Sequence, residues 1–288
     1  MRFFDRSIGQ YPRWFAHRGG AHEQPENTLP AFERAIREGY VYLELDVHLT
    51  SDDQWVVLHD PLLERTTNGR DNVAKLSLQE VRTLDAAYYF APEAGYPERE
   101  KGLTIPTLDE VVDLGSELCF NVDIKFNPVT QGRYSPAKLA SMFWQFVCQR
   151  ELQERLLIAS SSFTLARQVR RVSAGKALTS ASKPEAWAFL LHSHTALPLL
   201  VQPRYAALQV PPDYGALRVV TPRFIELAHQ AGVEVHLWTL DDPLEAELYL
   251  NMGVDGIMTD APTAMLALKQ RAQQPAREGV GRVSGERP

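Results

Sequence analysis

Residues 40–50, YVYLELDVHLT, decide the fold prediction. Apolar and polar residues alternate along this run with the period of a β-strand, whose successive side chains point to opposite faces. One face then carries Leu43, Leu45, Val47 and Leu49, and the other carries Glu44, Asp46 and His48. The pattern predicts a strand over residues 42–47 with two carboxylates on the same face.

These two carboxylates are separated by roughly 7 Å on a strand, so two bare negative charges would repel each other. A hard divalent cation, Mg²⁺ or Ca²⁺, is the simplest compensation, because no cysteine or histidine stands at zinc-site spacing beside them. An isolated pair of this kind is more often part of a half-polar, exposed edge strand. The neighbouring residues decide between the two interpretations.

Two histidines are expected to lie beside the carboxylates. Residues 51–54 form a polar turn, and the apolar run 55–58 returns the chain so that His59 reaches the level of Glu44 and Asp46. His17 ends another short apolar run and is followed by Arg18. Each histidine alone is also typical of a structural role, but a pair at strand ends can serve as a base and an acid.

The rest of the chain alternates short apolar runs with longer amphipathic ones, which predicts parallel strands separated by helices. Right-handed crossovers close such a set into an α/β protein with a single TIM-type (β/α)8 barrel, whose catalytic groups gather at the carboxyl ends of the strands. The eight predicted strands cover residues 15–17, 42–47, 119–125, 156–160, 176–180, 207–210, 233–239 and 256–259.

Several short sequence blocks occur in order along the chain. The blocks are HRG at 17–19, PENT at 25–28 with AF at 31–32, ELDV at 44–47 with Thr50, HD at 59–60, RTTNG at 65–69, IPTL at 105–108, DIK at 123–125, WT at 238–239 and GVDGIMTD at 253–260. Together, these blocks resemble the glycerophosphodiester phosphodiesterase family. The resemblance runs from about residue 15 to residue 262, and no single block is specific alone.

The resemblance implies an enzyme of glycerol and lipid metabolism, a metal-dependent hydrolase that converts glycerophosphodiesters to glycerol 3-phosphate and an alcohol. The implied roles are His17 and His59 as catalytic acid and base, Glu44, Asp46 and Asp123 as ligands of Mg²⁺ or Ca²⁺, and Arg18, Lys125 and Trp238 as substrate or phosphate contacts. We favour His17 as the base and His59 as the acid, although the sequence also allows the reverse. Attack by water and attack by a glycerol hydroxyl through a cyclic phosphate both stay open.

This sequence departs from the family pattern at two places. The family usually has glutamate at the position of Asp123, so the third metal ligand must reach from a shorter side chain. The family commonly continues the WT pair with Val-Asn, where this chain has Leu240 and Asp241.

Other activities remain open within the same fold. Residues 84–88 and 102–107 resemble the lysophospholipase D-like branch, and Tyr88, Tyr89, Phe90, Trp144, Trp187 and Trp238 could line a groove for an acyl chain. A phospholipase C-like or sphingomyelinase D-like phosphodiesterase would share the histidines and the carboxylates. A non-catalytic ligand-binding barrel is a further alternative, which the retention of both histidines disfavours.

The expected organisation is one barrel over residues 1–272, with residues 60–106 as an insertion or lid over the active site and residues 273–288 as a flexible tail. Helix capping by Asn27 or Thr28 is expected after the first strand, and a contact of Glu26 or Asn27 with the site is left open. The length of 288 residues is within the range of a single barrel.

Composition narrows the partners and the location. A net charge of −6 without a basic stripe argues against nucleic acid as a partner. The two cysteines, Cys119 and Cys148, are interpreted as core residues, and with no signal-like start the expected location is cytoplasmic. The longest apolar stretch, residues 186–201, is too interrupted to span a bilayer, and contact with a membrane surface is left open. The oligomeric state is not readable from the sequence.

Overall fold

Eight parallel strands form the centre of the molecule in the computed structural model, which describes residues 2–4, 11–195 and 202–273. They are β1 (Arg13–His17), β2 (Tyr42–Leu49), β4 (Cys119–Ile124), β5 (Leu156–Ala159), β6 (Leu178–Thr179), β7 (Ala207–Val210), β10 (Glu234–Leu237) and β11 (Gly256–Thr259). Three shorter strands lie in connections: β3 (Trp55–Val57), β8 (Asp213–Tyr214) and β9 (Leu217–Arg218).

The parallel strands close into a barrel in the order β6-β5-β4-β2-β1-β11-β10-β7. A parallel bridge between Ser180 and Ala207 joins the two ends of this order, so the sheet is nearly continuous around the barrel. All eight strands stand where the sequence predicts them, and the predicted single (β/α)8 barrel is confirmed.

Ten helices occupy the connections of the described chain, and most of them pack around the outside of the barrel. They are α1 (Leu29–Arg37), α2 (Leu78–Val81), α3 (Leu108–Val112), α4 (Pro128–Arg133), α5 (Pro136–Gln149), α6 (Phe163–Val172), α7 (Lys183–Ser193), α8 (Pro222–Gln230), α9 (Pro243–Asn251) and α10 (Pro262–Gln273). Two 3₁₀ turns lie at Val73–Lys75 and Pro92–Ala94.

The side chains of β2 alternate, as the sequence predicts, between an apolar layer outside the barrel and the interior of the barrel. Leu43, Leu45 and Val47 are fully buried in the layer between the sheet and the helices, whereas Tyr42 is buried inside the barrel. Glu44 and Asp46 follow Tyr42 on the inner face and are also buried. The interpretation of this run as an exposed edge strand is therefore excluded.

An ionic cluster and three aromatic rings close the amino-terminal end of the barrel. Arg13, fully buried, donates to both carboxylate oxygens of Glu234 at 2.7 and 2.8 Å and to the Tyr42 hydroxyl at 2.8 Å. Phe3 is also fully buried and packs against Phe15 and Tyr42. The floor of the barrel is thus filled, and the open end lies at the carboxyl ends of the strands.

Residues 60–106 lie in the second β-to-α connection, after the β2–β3 hairpin, and are called the insertion below, although their interpretation as an insertion stays a prediction. The segment has a small apolar core of its own, in which Leu63, Val73 and Val81 pack against Val56 of β3 and Leu58. Capping boxes at Ser77 and Thr107 begin α2 and α3. The role of the segment as a lid stays a prediction.

Some expectations from the sequence are wrong or fall outside the described chain. Cys119 is buried as expected, but Cys148 lies on the exposed side of α5, so its interpretation as a core residue is wrong. Residues 196–201 of the apolar stretch and residues 274–288 of the expected tail lie outside the described residues. Within the described ranges, no helix combines the length and apolar character needed to cross a bilayer. The cytoplasmic location stays a prediction.

Candidate active site

The open end of the barrel contains a cavity of about 450 Å³. Seven of the eight residues predicted for the site line it, namely His17, Arg18, Glu44, His59, Asp123, Lys125 and Trp238. The eighth, Asp46, is 1% exposed and lies behind Lys125, whose ammonium is 2.8 Å from Asp46 Oδ1. Residues from four barrel strands and the connections that follow them therefore meet at one mouth.

Strand register explains this meeting. On the paired strands, His17 stands opposite Glu44, Glu44 opposite Asn121, and Asp46 opposite Asp123. The antiparallel β3 aligns Val57 with Val47, and the Leu58 amide donates to the Asp46 carbonyl at 2.9 Å, which brings His59 back over the carboxylates. The predicted hairpin excursion is therefore present.

His17 is held by a carboxylate that lies almost at the other end of the chain. Its Nδ1 is 2.7 Å from Asp260 Oδ1, and its Nε2 is 3.7 Å from Glu44 Oε2. Burial lowers the His17 pKa, but the charge of Glu44 and the hydrogen bond with Asp260 outweigh it and raise the pKa to about 8. The contact with Asp260 places a proton on Nδ1, so Nε2 is the atom available for proton transfer.

His59 has an equivalent arrangement built from adjacent residues. Its Nδ1 is 2.7 Å from Asp60 Oδ1, and its backbone carbonyl is 3.1 Å from His48 Nε2. Burial is the main reason that the pKa of His48 falls to about 4, so this imidazole is neutral at pH 7 and donates to the carbonyl. Both candidate catalytic imidazoles thus have a carboxylate on Nδ1, and neither Nε2 makes a hydrogen bond with the described residues.

The acidic groups of the site are balanced by two cations. Lys125 Nζ is 2.8 Å from Asp46 Oδ1 and 2.7 Å from Asp123 Oδ2, while Arg18 Nε is 3.2 Å from Asp46 Oδ2. Burial raises the pKa of Asp46, but Lys125 and Arg18 reverse this effect and hold it below its usual value. For Glu44, burial and the charge of Asp46 prevail, so its pKa is raised.

The donor set fits a hard cation in its chemistry. Two buried oxygens, Asp123 Oδ1 and Asn121 Oδ1, accept no hydrogen bond from the described residues, whereas Asp46 Oδ1 is paired with the Lys125 ammonium at 2.8 Å. Unpartnered buried oxygens of this kind are costly unless a cation or water binds them. The three predicted ligands, Glu44, Asp46 and Asp123, therefore supply oxygen donors suited to Mg²⁺ or Ca²⁺.

In this structure, the carboxylate oxygens of Glu44, Asp46 and Asp123 lie too far apart to coordinate one cation together. Among the described residues, the one group whose ligand atoms all lie within 4.8 Å of one another is His22, Asp241 and Asp260, at the rim of the barrel. Two of these are already engaged, because Asp260 holds His17 and Asp241 accepts from the Thr259 hydroxyl at 2.9 Å. Lys125 separates the predicted ligands, so their role in metal binding stays a prediction.

Asn27 is a site residue whose role the sequence did not decide. Its Nδ2 donates to Asp46 Oδ2 at 2.9 Å, and its Oδ1 accepts from the Asp46 amide at 3.4 Å. Helix α1 begins after Thr28, whose hydroxyl donates to the Pro25 carbonyl and makes no side-chain cap. The expected capping by Asn27 or Thr28 is therefore wrong, and Asn27 fixes the position of a candidate ligand instead.

Apolar side chains also line the cavity, together with further polar residues. This apolar wall contains Trp187 and Leu190 of α7, Tyr214 of β8 and Trp238. The Trp187 and Tyr214 rings meet edge to face at 5.3 Å. Of the six aromatic residues suggested for an acyl groove, Trp187 and Trp238 line the cavity, whereas Tyr88, Tyr89, Phe90 and Trp144 are not among its lining residues.

Comparison with known proteins identifies the family of the chain. The sequence model described as the glycerophosphoryl diester phosphodiesterase family matches residues 17–264. The chain belongs to this family. It is 32% identical to the glycerophosphodiester phosphodiesterase of Caldanaerobacter subterraneus subsp. tengcongensis, over 89% of this chain and 97% of that protein. The prediction of a phosphoric diester hydrolase of the glycerophosphodiester phosphodiesterase kind is confirmed.

Two further relatives extend the comparison within the glycerophosphodiester phosphodiesterase family. Lysophospholipase D GDPD1 of Mus musculus is 26% identical, over 92% of this chain and 86% of its own. The structure of an Oleispira antarctica phosphodiesterase in complex with the product sn-glycerol-3-phosphate has a TM-score of 0.70 at 25% identity, covering 91% of this chain and 96% of that chain.

Proposed function

We propose that this chain hydrolyses glycerophosphodiesters to glycerol 3-phosphate and an alcohol, with His17 and His59 as its acid–base pair. The observation that carries the proposal is the pair of imidazoles at one cavity, each with a carboxylate on Nδ1. Arg18 and Lys125 line the same cavity. This arrangement supplies two proton-transfer groups and positive charge for a phosphodiester.

The proton transfers are assigned to the Nε2 atoms. Neutral His17 accepts the proton of the nucleophile, either water or the adjacent glycerol hydroxyl, and the P–O bond to the alcohol then breaks. If the glycerol hydroxyl attacks, the product is a cyclic phosphate, and water must open it in a second step to give glycerol 3-phosphate. His59 donates a proton to the departing alkoxide. Such transfers contribute about 10²–10⁴-fold to a rate. Arg18 and Lys125 neutralise the phosphoryl group, and the exposed Trp238 side chain contacts the substrate at the rim.

A divalent cation, Mg²⁺ or Ca²⁺, fits the donors of Glu44, Asp46 and Asp123. When bound, it supplies positive charge to the phosphoryl oxygens and weakens the field by which Glu44 raises the pKa of His17. Activity is therefore expected to disappear in EDTA and to return with Mg²⁺ or Ca²⁺. Full activity after exhaustive removal of metal would contradict this part of the proposal.

Product analysis with glycerophosphocholine tests the reaction itself. The proposal predicts glycerol 3-phosphate and choline, detected by an enzyme-coupled assay for each. Phosphocholine and glycerol would instead indicate a phospholipase C-like cleavage. A cyclic glycerophosphate that accumulates in a slow variant would indicate attack by the glycerol hydroxyl. Release of glycerol 3-phosphate from that variant without any cyclic glycerophosphate would indicate attack by water.

The apolar wall of the cavity favours lysophospholipids as a second substrate class, and the resemblance to the murine lysophospholipase D agrees with it. An acyl chain against Trp187 would be removed from water. Trp187→Ala is then expected to raise the KM for a lysophospholipid and to leave that for glycerophosphocholine unchanged. Trp144→Ala, at an aromatic residue outside the cavity lining, is the matched control. Equal effects of Trp187→Ala on both substrates would exclude this use of the wall.

A further inference from the structure

Arg65 lies in the insertion, outside the lining of the active-site cavity. It contacts two carboxylates that support lining residues: Asp60 supports His59, and Glu26 supports Arg18. Its Nη1 and Nη2 donate to the two oxygens of Glu26 at 2.7 Å each, in a bidentate pair. Its Nε donates to Asp60 Oδ2. One guanidinium therefore joins two carboxylates that approach it from different loops.

Each of these carboxylates has its second contact inside the site. Asp60 uses its other oxygen, Oδ1, for the 2.7 Å contact with His59 Nδ1. Glu26 Oε1 accepts from Arg18 Nη1 at 3.2 Å, and Arg18 in turn lies 3.2 Å from Asp46 Oδ2. A continuous series of polar contacts thus runs from one imidazole through Arg65 to the guanidinium proposed to bind phosphate.

The backbone around Arg65 is fixed by contacts of the insertion itself. Leu63, two residues before it, is fully buried in the small apolar core, and its amide donates to the Asp71 carbonyl at 3.1 Å. Thr67, two residues after it, donates from its hydroxyl to the Leu63 carbonyl at 2.8 Å. The guanidinium therefore projects from an ordered turn, although about half of its side chain is exposed.

We propose that Arg65 is a positioning residue for His59: it holds Asp60 so that the carboxylate keeps the proton of His59 on Nδ1 and aims Nε2 at the leaving oxygen. The inference rests on the proposed function, in which His59 protonates the departing alkoxide. A planar guanidinium suits this task because it presents donors in a fixed fork, which a lysine ammonium does not. The insertion then contributes to catalysis without touching the substrate.

A comparison of two leaving groups separates this role from a structural one. The substrates are glycerophosphocholine, whose alkoxide needs a proton, and the p-nitrophenyl ester of glycerol 3-phosphate, whose phenolate leaves without one. The variants are Arg65→Ala, Arg65→Lys and His59→Ala. Arg82→Ala is the matched control, because Arg82 also joins the insertion to the barrel, through Glu110 at 2.5 Å.

We expect Arg65→Ala to lower kcat on glycerophosphocholine by about 10–100-fold, as is common when a carboxylate–histidine support is lost, and to change kcat on the nitrophenyl ester far less. Arg65→Lys keeps the charge without the fork and should fall between the wild type and Arg65→Ala on glycerophosphocholine. His59→Ala should show the same preference more strongly, and Arg82→Ala should show none. Thermal unfolding of each variant measures its folded state.

Three results would overturn the proposal. The first is a wild-type kcat of Arg65→Ala on both substrates. The second is an equal loss on both substrates while His59→Ala retains its preference for the nitrophenyl ester, which would indicate a structural role for Arg65. The third is the absence of any preference in His59→Ala itself, which would refute the acid role of His59 and the inference about Arg65 with it.

Discussion

Replacement of Lys125 by methionine tests whether the acidic groups of the site need a cation. Lys125 Nζ lies 2.8 Å from Asp46 Oδ1 and 2.7 Å from Asp123 Oδ2, and Asp46 is 1% exposed. Removal of one partner from a buried ion pair costs about 3–5 kcal/mol. Because the Lys125 side chain is 21% exposed, solvent screening reduces this, and we expect a loss of about 3 kcal/mol in the free energy of unfolding.

The assay is urea and thermal unfolding in EDTA and then in Mg²⁺ or Ca²⁺. A loss of about 3 kcal/mol corresponds to a decrease of about 6–12 °C in Tm for a chain of this size. If Glu44, Asp46 and Asp123 bind a divalent cation, saturation at about 100 times Kd should restore about 2.7 kcal/mol. The control is Lys183→Met, at an exposed lysine that lines the same cavity. An unchanged Tm of Lys125→Met in EDTA, or no recovery with either cation, would refute this reasoning.

Three other predictions concern residues that support the site or the barrel floor. Asp260→Asn should lower the pKa of His17 from about 8, because it removes an anionic partner, and should lower kcat by about 10–100-fold; NMR titration of the imidazole and steady-state rates measure the two effects. Asn27→Ala removes the amide donor of the buried Asp46 Oδ2, which keeps only its contact with Arg18, and should cost about 1–3 kcal/mol in urea unfolding. Burial raises the pKa of Glu234, but hydrogen bonds with His236 and Arg13 outweigh it and hold this pKa at about 2, below its ordinary 4.5. The ionised Glu234 therefore contributes on the order of 3 kcal/mol to the free energy of unfolding, which is complete above pH 4.5 and lost as the pH falls towards 2. In Arg13→Met, the free energy of unfolding should depend less steeply on pH over this range.

The strands, and the meeting of Glu44, Asp46 and His59 at one end of the barrel, could be predicted because their signals are local. The period of two in β2 separates Leu45 from Asp46 whatever surrounds them, and the return of His59 follows from a polar turn between two short apolar runs. The closing of the barrel follows from the order of strands and helices. These features depend on neighbouring residues in the chain, which the sequence displays directly.

The supporting residues could not be assigned in the same way, since their roles arise from contacts across the barrel. Asp260 reaches His17 from the last strand, over 243 residues of chain. Asn27 has the sequence position of a helix cap, but a backbone φ of 57° turns its amide towards Asp46 instead. Arg65 and Glu26 belong to the RTTNG and PENT blocks of the family resemblance, but the blocks do not indicate which residues they contact.

Dependence on the tertiary fold also explains why the expectations for Cys148 and for the aromatic residues of the insertion differ from the structure. Cys148 lies among apolar residues in the sequence, but the helical period of α5 places it on the outer face while Phe143 and Val147 are buried. The tyrosines of the insertion pack on Arg99, whose guanidinium carbon is 4.1 Å from the Tyr88 ring centroid, rather than on the active-site cavity. Composition identified aromatic residues, but their partners depend on the tertiary fold.

The most direct test of the central claim is the rate of glycerol 3-phosphate release from glycerophosphocholine by His17→Ala and His59→Ala, with folding verified by thermal unfolding. The account predicts that each substitution abolishes turnover while the protein stays folded, because each imidazole supplies a proton transfer that no other group at the cavity replaces. A wild-type rate in either folded variant would contradict it.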